Sequence, residues 1–284
     1  MSSPQSIRDR LTRLARERNL DVQLTLTTYA IERTLHRLSL TPDAERYLLK
    51  GAQLLRQYLP EDSFRASRDG DLLATGDDSR QHLQDTILEA ASLELPDGLI
   101  FDLKSLAIDD IRERDAYAGL RVRVQANLAG ARLRVQLDVA FGDAVVPPPT
   151  EIPFRTLLDQ PAPRLKGYAI ETVVAEKLQA ITSLGLINSR LKNYFDLWFI
   201  AQHIDVDATM LDDAVRATFD RRQTEIDAEP PGLSPEYGQN ATWNRQWSVL
   251  LRTNNLDAPS LGETCRAILT AFAPALTRAA GRKE

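Results

Sequence analysis

The sequence is poor in the residues that bind soft metals and form disulfides. Among 284 residues it has one cysteine, Cys265, and three histidines. A single cysteine cannot form a disulfide within the chain, and it fits a reducing compartment. Structural zinc sites use four cysteine or histidine ligands, so a zinc site is not expected. Cys265 lies in a helical pattern without a catalytic histidine motif, and we interpret it as a packing residue.

Long apolar runs and a surplus of basic residues are also missing. No stretch approaches the roughly 20 apolar residues of a membrane-spanning helix, and the polar N-terminus is unlike a signal peptide. We therefore expect a cytoplasmic protein with no membrane partner. The formal net charge of −5 argues against a generally cationic nucleic-acid-binding protein, although local arginines can still contact phosphates.

The composition is otherwise that of a globular protein with a substantial core. Hydrophobic residues make up 43% of the chain and charged residues 26%, both ordinary values. The length allows two domains or one large one. Because carboxylates are the only plentiful metal-binding groups, Mg²⁺ is the metal that the composition favours.

Two aspartates flank a single glycine in the segment Ser67–Leu73, with the sequence SRDGDLL. If this segment is extended, Asp69 and Asp71 point to one face and Gly70 to the other. The two carboxylates are then roughly 6 to 7 Å apart, which suits Mg²⁺ ions that also bind substrate phosphates. Since Asp-x-Asp also occurs in solvated turns, the pair needs support from elsewhere in the chain.

A predicted hairpin supplies a third carboxylate. Residues 120–128 and 133–139 alternate strictly between apolar and polar side chains around a turn at Ala129 and Gly130. The alternation buries one face and places Asp138 on the other. There Asp138 could serve as a metal ligand or as the general base for an attacking hydroxyl. The alternative is an ion pair between Asp138 and an arginine of the hairpin.

A short apolar run before the paired acids ends at Lys50, Gly51 and Ala52 and leads into a helical pattern. We predict a strand, a tight turn and a helix. Backbone N–H groups at the start of a helix bind phosphate oxygens, so this turn is a candidate phosphate site.

Arginines in two segments are candidate RNA contacts. One group lies on a predicted helix from Ile7 to Asn19 and the other on the hairpin: Arg8, Arg10, Arg13, Arg121 and Arg123. The alternative for both groups is a solvated face whose arginines pair with nearby carboxylates. A second helix is predicted from Thr27 to Leu38.

The second half of the chain is predicted to be helical from Glu171 onward, after a proline-rich stretch at residues 147–163. Lys192 and Asp196 are four residues apart in this half. That spacing is typical of an intrahelical ion pair.

Five segments taken together resemble the AbiEii-type nucleotidyltransferase toxins of bacterial toxin–antitoxin and abortive-infection systems, a branch of the polymerase-β-like nucleotidyltransferases. The resemblance covers about residues 29–203. Its segments are Tyr47–Ala52, Ser67–Leu73, Leu137–Asp143, Glu171–Leu178 and Asn188–Trp198.

The resemblance implies an α+β fold. Residues 1–150 would form N-terminal helices and a nucleotidyltransferase-like catalytic domain, with a small mixed β-sheet flanked by helices. Residues 151–284 would form a mostly helical C-terminal domain that completes the nucleotide cleft.

The resemblance also implies roles for single residues. The glycine matching Gly51 holds triphosphate oxygens, and the acids matching Asp69 and Asp71 bind Mg²⁺. The lysine matching Lys177 holds the triphosphate, and the acid matching Asp196 is a further essential group. The expected catalytic residues are Asp69, Asp71, Asp138, Lys177 and Asp196, of which the first three are expected metal ligands. The expected nucleotide-binding residues are Lys50, Gly51, Ala52, Arg68, Lys177 and Lys192.

Three positions depart from the family pattern. Ala52 stands where many relatives have glycine or serine, so a hydroxyl contact to phosphate is missing. Asn193 stands where an acid is often found. Gly70 stands where relatives have a bulky apolar residue, and the core behind the site is therefore expected to be thin or filled from elsewhere.

The expected function is that of a toxin. A Mg²⁺-dependent nucleotidyltransferase would move a nucleoside monophosphate from an NTP to RNA, with the tRNA 3′ end as the favoured acceptor, and release pyrophosphate. Its expected partners are the NTP, tRNA or another RNA, and a cognate antitoxin from a neighbouring gene. The alternatives are transfer to a protein hydroxyl or a small molecule such as an aminoglycoside, or a non-catalytic relative that binds an antitoxin or RNA.

Overall fold

The chain divides into two compact units. A computed structural model describes residues 3–59, 67–111 and 119–281. The first unit comprises Met1–Gly142 and Thr150–Gly167, and the second comprises Asp143–Pro149 and Tyr168–Glu284.

The first unit combines helices with one mixed sheet. Its helices in the described residues are α1 (Pro4–Glu17), α2 (Val22–Leu38), α3 (Gly51–Tyr58) and α4 (Arg80–Ser92). Its strands there are β1 (Tyr47–Lys50), β2 (Gly70–Ala74), β3 (Leu99–Ile111), β4 (Gly119–Leu128), β5 (Ala131–Phe141), β6 (Thr150–Glu151) and β7 (Lys166–Gly167). The hydroxyl or carboxylate of Ser3, Asp21 and Ser79 accepts a backbone hydrogen bond at the start of α1, α2 and α4, which satisfies otherwise unpaired N–H groups.

The sheet has the strand order β3-β4-β5-β2-β1-β7-β6. Strand β2 runs parallel to β5, and β1 runs parallel to β7, while the other neighbours are antiparallel. The expected small mixed sheet flanked by helices is confirmed. Parallel pairing brings together segments that are far apart in sequence, since such strands need a long crossover connection.

The hairpin of β4 and β5 has the face that the sequence pattern predicts. Leu133, Val135 and Leu137 are at most 1% exposed. The turn residues Ala129 and Gly130 both have positive φ angles, 47° and 84°, as two-residue hairpin turns of this hand require. The alternation of β5 is therefore fixed by burial on one side and by the turn at its start.

Helix α2 packs against β5 and carries charge into the core. It begins at Val22, five residues before the predicted Thr27, because the Asp21 carboxylate caps it at the Leu24 N–H. Arg37 is 1% exposed, and its Nη2 donates to Asp97 Oδ1 at 3.0 Å. A buried arginine is tolerated here because the Asp97 carboxylate offsets its charge.

The second unit is helical, as expected. Its helices in the described residues are α5 (Ile170–Leu184), α6 (Leu191–His203), α7 (Ala208–Arg221), α8 (Pro235–Gln239), α9 (Ala241–Thr253) and α10 (Leu261–Gly281). Helix α10 packs against α6 and α7. Cys265 on α10 is 1% exposed, and burial raises the pKa of its thiol to about 12. The thiol is therefore a packing group, as its sequence setting indicates.

Across the described ranges, every helix is too short or too polar to span a bilayer.

Candidate active site

A row of charged side chains crosses the sheet of the first unit. The register aligns one charged residue from each of four neighbouring strands: Arg121 of β4, Asp138 of β5, Asp71 of β2 and Lys50 of β1. Directly paired residues on neighbouring strands project to the same face. The two central carboxylates therefore lie side by side, with a cation at each end of the row.

Asp69 extends this acidic group by one more carboxylate. It immediately precedes β2, two residues from Asp71, and the buried Ser67 hydroxyl donates a hydrogen bond to Asp69 Oδ1. The pKa of Arg121 is raised, first by its hydrogen bonds to Asp138 and also by the charges of Asp138, Asp69 and Asp71. The structure thus brings together the three acids that the sequence singles out.

Arg121 binds the third acid directly. Its Nε donates to Asp138 Oδ1 at 2.8 Å and its Nη2 to Asp138 Oδ2 at 2.6 Å. Both oxygens of the carboxylate are therefore engaged in a two-pronged ion pair. The ion pair that we considered as the alternative for Asp138 is present, in the same row as Asp71.

The carboxylates of Asp69, Asp71 and Asp138 fit a Mg²⁺ site only in part as they are placed here. Within residues 3–59, 67–111 and 119–281, no three carboxylate, imidazole or thiol groups are placed to hold one metal ion together. Both oxygens of Asp138 are also engaged by Arg121. Asp69 and Asp71 supply the one or two carboxylates that Mg²⁺ uses alongside phosphate oxygens. The role of Asp138 as a metal ligand or base stays a prediction.

The first residue of α3 lies beside the acidic group. Gly51 has a φ of +63°, and a Cβ atom placed on it would lie 2.7 Å from Asp71 Cβ and closer still to the carboxylate. Only glycine leaves room for the Asp71 side chain at this point. The predicted strand and helix are present, but β1 ends at Lys50 and α3 begins at Gly51, so no separate turn residue lies between them. This strand-to-helix junction, called the Gly51 turn below, lies directly beside Asp71.

Replacement of Gly51 with alanine is expected to lower the free energy of unfolding by about 2 kcal/mol or more and to displace Asp71. The left-handed backbone conformation alone costs about 1 kcal/mol with a side chain, and the collision with Asp71 adds to it. Urea unfolding measures the loss.

Gly130→Ala is the matched control for this change. Gly130 has a φ of +84°, but its added Cβ would meet only Arg8 Nη1, at 3.9 Å. It therefore carries the backbone cost without the collision. Equal destabilisation by the two variants would contradict the close packing of Asp71 on the turn.

The core behind Gly70 was expected to be thin or filled from elsewhere, and the structure shows the second alternative. It is buried in β2, and a Cβ atom there would lie 2.9 Å from Leu137 Cδ2 and 3.1 Å from Ile31 Cγ2. Side chains from β5 and α2 thus fill the space behind Gly70. The core behind the acids is packed.

Lys177 and Asp196 form an ion pair in the helical unit. Lys177 Nζ on α5 lies 2.8 Å from Asp196 Oδ2 on α6, and their side chains are 11% and 2% exposed. Nζ also lies 3.5 Å from Asn193 Oδ1. Asp196 thus meets a lysine from another helix. Lys192, one helical turn before Asp196 on α6, is exposed. The assignment of Lys177 and Lys192 to the triphosphate stays a prediction.

Arg222 forms a second charged cluster, which the sequence analysis did not identify. The cluster includes Glu176, the neighbour of Lys177 in sequence. Its guanidinium lies 2.9 Å from Glu176 Oε1, 3.2 Å from Asp143 Oδ1 and 3.0 Å from Gln179 Oε1. Burial opposes the charge of Arg222, yet Glu176 and Asp143 raise its pKa. The cluster ties residues after β5 to α5. Arg222 is 43 or more residues from each of its three partners, so no spacing rule pairs it with them.

Three of the five predicted RNA-binding arginines make hydrogen bonds or ion pairs within the protein. Arg8 donates to the Ala129 carbonyl oxygen at 2.8 Å, and Arg121 and Arg123 pair with carboxylates on neighbouring strands. Arg13 is exposed on α1 and Arg10 is half-buried there. Arg68 is also exposed, just before the paired acids.

The chain is similar to a known protein family and to solved structures. The family described as the nucleotidyl transferase AbiEii toxin of type IV toxin–antitoxin systems matches residues 33–277. None of the curated proteins matches the chain.

Two solved structures from Helicobacter pylori share the fold. A protein described as a candidate nucleotidyltransferase has a TM-score of 0.50 at 16% identity, over 91% of this chain and 97% of its own. JHP933 has a TM-score of 0.52 at 16% identity, over 90% of this chain and 93% of its own. At this identity the likeness is one of fold. Since the family match spans most of the sequence, the chain belongs to the AbiEii nucleotidyltransferase toxin family of type IV toxin–antitoxin systems.

Proposed function

We propose that this toxin is a Mg²⁺-dependent enzyme that transfers a nucleoside monophosphate from an NTP to RNA and releases pyrophosphate. The observation that carries the proposal is the alignment of Asp71 with Asp138 on parallel strands, with Asp69 beside them. Membership of a nucleotidyltransferase toxin family supports the reaction class. The tRNA 3′ end is the proposed acceptor.

The contact between the Gly51 turn and Asp71 supports the binding of a phosphate. A phosphate held by the backbone N–H groups of the turn would lie next to the Asp71 carboxylate, because Gly51 is packed against the Asp71 side chain. Anions so placed repel each other unless a cation lies between them. Mg²⁺ bound by Asp69 and Asp71 would supply that charge and would orient the phosphate oxygens.

The protein's own groups would carry the proton and the developing charge. Asp138 is proposed to accept the proton of the attacking RNA hydroxyl, which requires its release from Arg121. Lys177 is proposed to offset the charge of the departing pyrophosphate as a compact cation.

The family implies a cognate antitoxin as partner, and we propose that a neighbouring gene encodes it. The proposed RNA contact is the outer face of α1, where Arg13 is exposed and Arg10 half-buried. Contacts of this kind weaken as salt rises.

Transfer of label tests the proposed reaction. The purified protein is incubated with total RNA, Mg²⁺ and each of four NTPs labelled at the α-phosphate. We expect label in RNA of tRNA length with at least one NTP, and none after chelation of the metal.

A matched control addresses the acceptor end. RNA whose 3′-terminal diol has been oxidised with periodate cannot accept a nucleotide there, so its labelling is expected to vanish. Label in protein, or in an added aminoglycoside, would replace RNA as the acceptor. Absence of label with every NTP would reject the enzymatic proposal and favour a binding protein.

A further inference from the structure

Arg121 lies where its charge acts on every acid of the candidate active site. It makes two hydrogen bonds to Asp138, and the charges of Asp69 and Asp71 act on it as well. A cation among three carboxylates reduces their mutual repulsion. The guanidinium therefore stabilises the acidic group when no metal ion is bound.

The oxygens that Arg121 holds are those that a metal ion would need. Arg121 Nε and Nη2 engage Oδ1 and Oδ2 of Asp138 separately, and Gln136 Nε2 also lies 3.4 Å from Oδ1. The Asp138 side chain is only 18% exposed. Little of the carboxylate is therefore left for another ligand while the ion pair persists.

The next arginine on β4, Arg123, also forms an ion pair, but its partner is not an acid of the candidate active site. Arg123 is two residues further along the same strand and pairs with Asp109 of β3. The Asp109 side chain is 51% exposed. Arg123 therefore offers a natural comparison for Arg121. Both arginines lie on β4 and pair with an aspartate, but Arg123 uses only Nη2, and its partner lies on the other neighbouring strand.

We propose that Arg121 and a divalent cation compete for Asp138, so that Arg121 holds this carboxylate out of the metal site until the metal displaces it. The proposal rests on the proposed function, because it takes Asp69 and Asp71 as metal ligands. Arg121 is then a positioning residue that sets metal affinity. Metal alone binds weakly, and the third carboxylate becomes available only when the ion pair opens.

Direct binding of Mn²⁺ tests the competition without any measurement of activity. The loss of free Mn²⁺ signal in electron paramagnetic resonance reports binding to the full-length protein. Arg121→Gln is expected to bind Mn²⁺ about tenfold more tightly than the unaltered protein, since it removes both a competitor and a nearby positive charge. Arg123→Gln is expected to stay within about twofold.

A double-mutant cycle separates competition from simple charge. In an Asp138→Asn background, Arg121→Gln is expected to bring much less gain in affinity, because no carboxylate remains to be released. The same gain in both backgrounds would show a charge effect alone and would overturn the proposal. Unchanged or weaker binding by Arg121→Gln would overturn it as well.

Two further measurements distinguish failure of this inference from misfolding of the variant and from failure of the proposed function. If Arg121→Gln does not fold, as judged by its thermal unfolding, Arg121→Lys takes its place, because a lysine cannot form the two-pronged pair. Mn²⁺ binding is then expected to tighten by a smaller factor. A protein that transfers nucleotides but shows no gain in either variant defeats this inference alone. A protein that neither binds Mn²⁺ nor transfers nucleotides defeats the proposed function with it.

Discussion

Asp71→Asn is expected to lower nucleotidyl transfer about a thousandfold or more, which corresponds to about 4 kcal/mol of lost transition-state stabilisation. Asp71 is the centre of the charged row: it pairs in register with Asp138 on one side and Lys50 on the other. It also packs against the Gly51 turn. Asparagine keeps the size of the side chain but removes the charge that a metal ion and its phosphates require.

Initial rates with α-labelled NTP measure this loss, and thermal unfolding shows whether the fold persists. Asp110→Asn is the matched control. Asp110 is an exposed carboxylate on β3 that pairs with Arg80, and its replacement is expected to leave the rate within about twofold. More than a tenth of the original rate in Asp71→Asn would exclude Asp71 as an essential metal ligand.

Lys177→Met is expected to lower the free energy of unfolding by about 3 to 5 kcal/mol, because breaking a buried ion pair leaves a charge without its partner. Asp196 is 2% exposed and lies 2.8 Å from Lys177 Nζ. Methionine fills the space of the lysine stem but cannot offset the carboxylate. Urea unfolding of both proteins measures the difference.

The double variant Lys177→Met, Asp196→Asn separates structure from catalysis. It is expected to recover about half of the lost stability, since no charge remains buried. If stability returns and transfer does not, Lys177 acts in the reaction as well as in the fold. Lys166→Met is the control: Lys166 lies 2.8 Å from Glu45, but both side chains are exposed, so little change is expected. A loss below about 0.5 kcal/mol for Lys177→Met would contradict the buried pair.

Local patterns were enough to predict the elements that bear the candidate site. Strict alternation in β5 placed Asp138 opposite the buried face, and the burial of Leu137 bears this out. A short apolar run followed by a helical period likewise predicts the strand and the helix that meet at Gly51. Such features depend only on neighbours in the chain, so sequence analysis reaches them.

Contacts between segments that are distant in sequence could not be predicted from such local patterns. The parallel register sets Asp71 beside Asp138, which is 67 residues further along the chain. Arg37 is buried on α2, and Asp97 offsets its charge in the core. Helical periodicity assigns arginines to the outer face by default, and only the position of a distant carboxylate reverses that assignment.

The path of the chain has a consequence for how the protein is made. Residues 143–149 belong to the second unit, yet Thr150–Gly167 return to the first and supply β6 and β7. A fragment that stopped at residue 150 would leave β1 without β7 as its parallel neighbour. The sheet can therefore close along that edge only after residue 167 has left the ribosome, and a nascent chain carries an incomplete sheet until then.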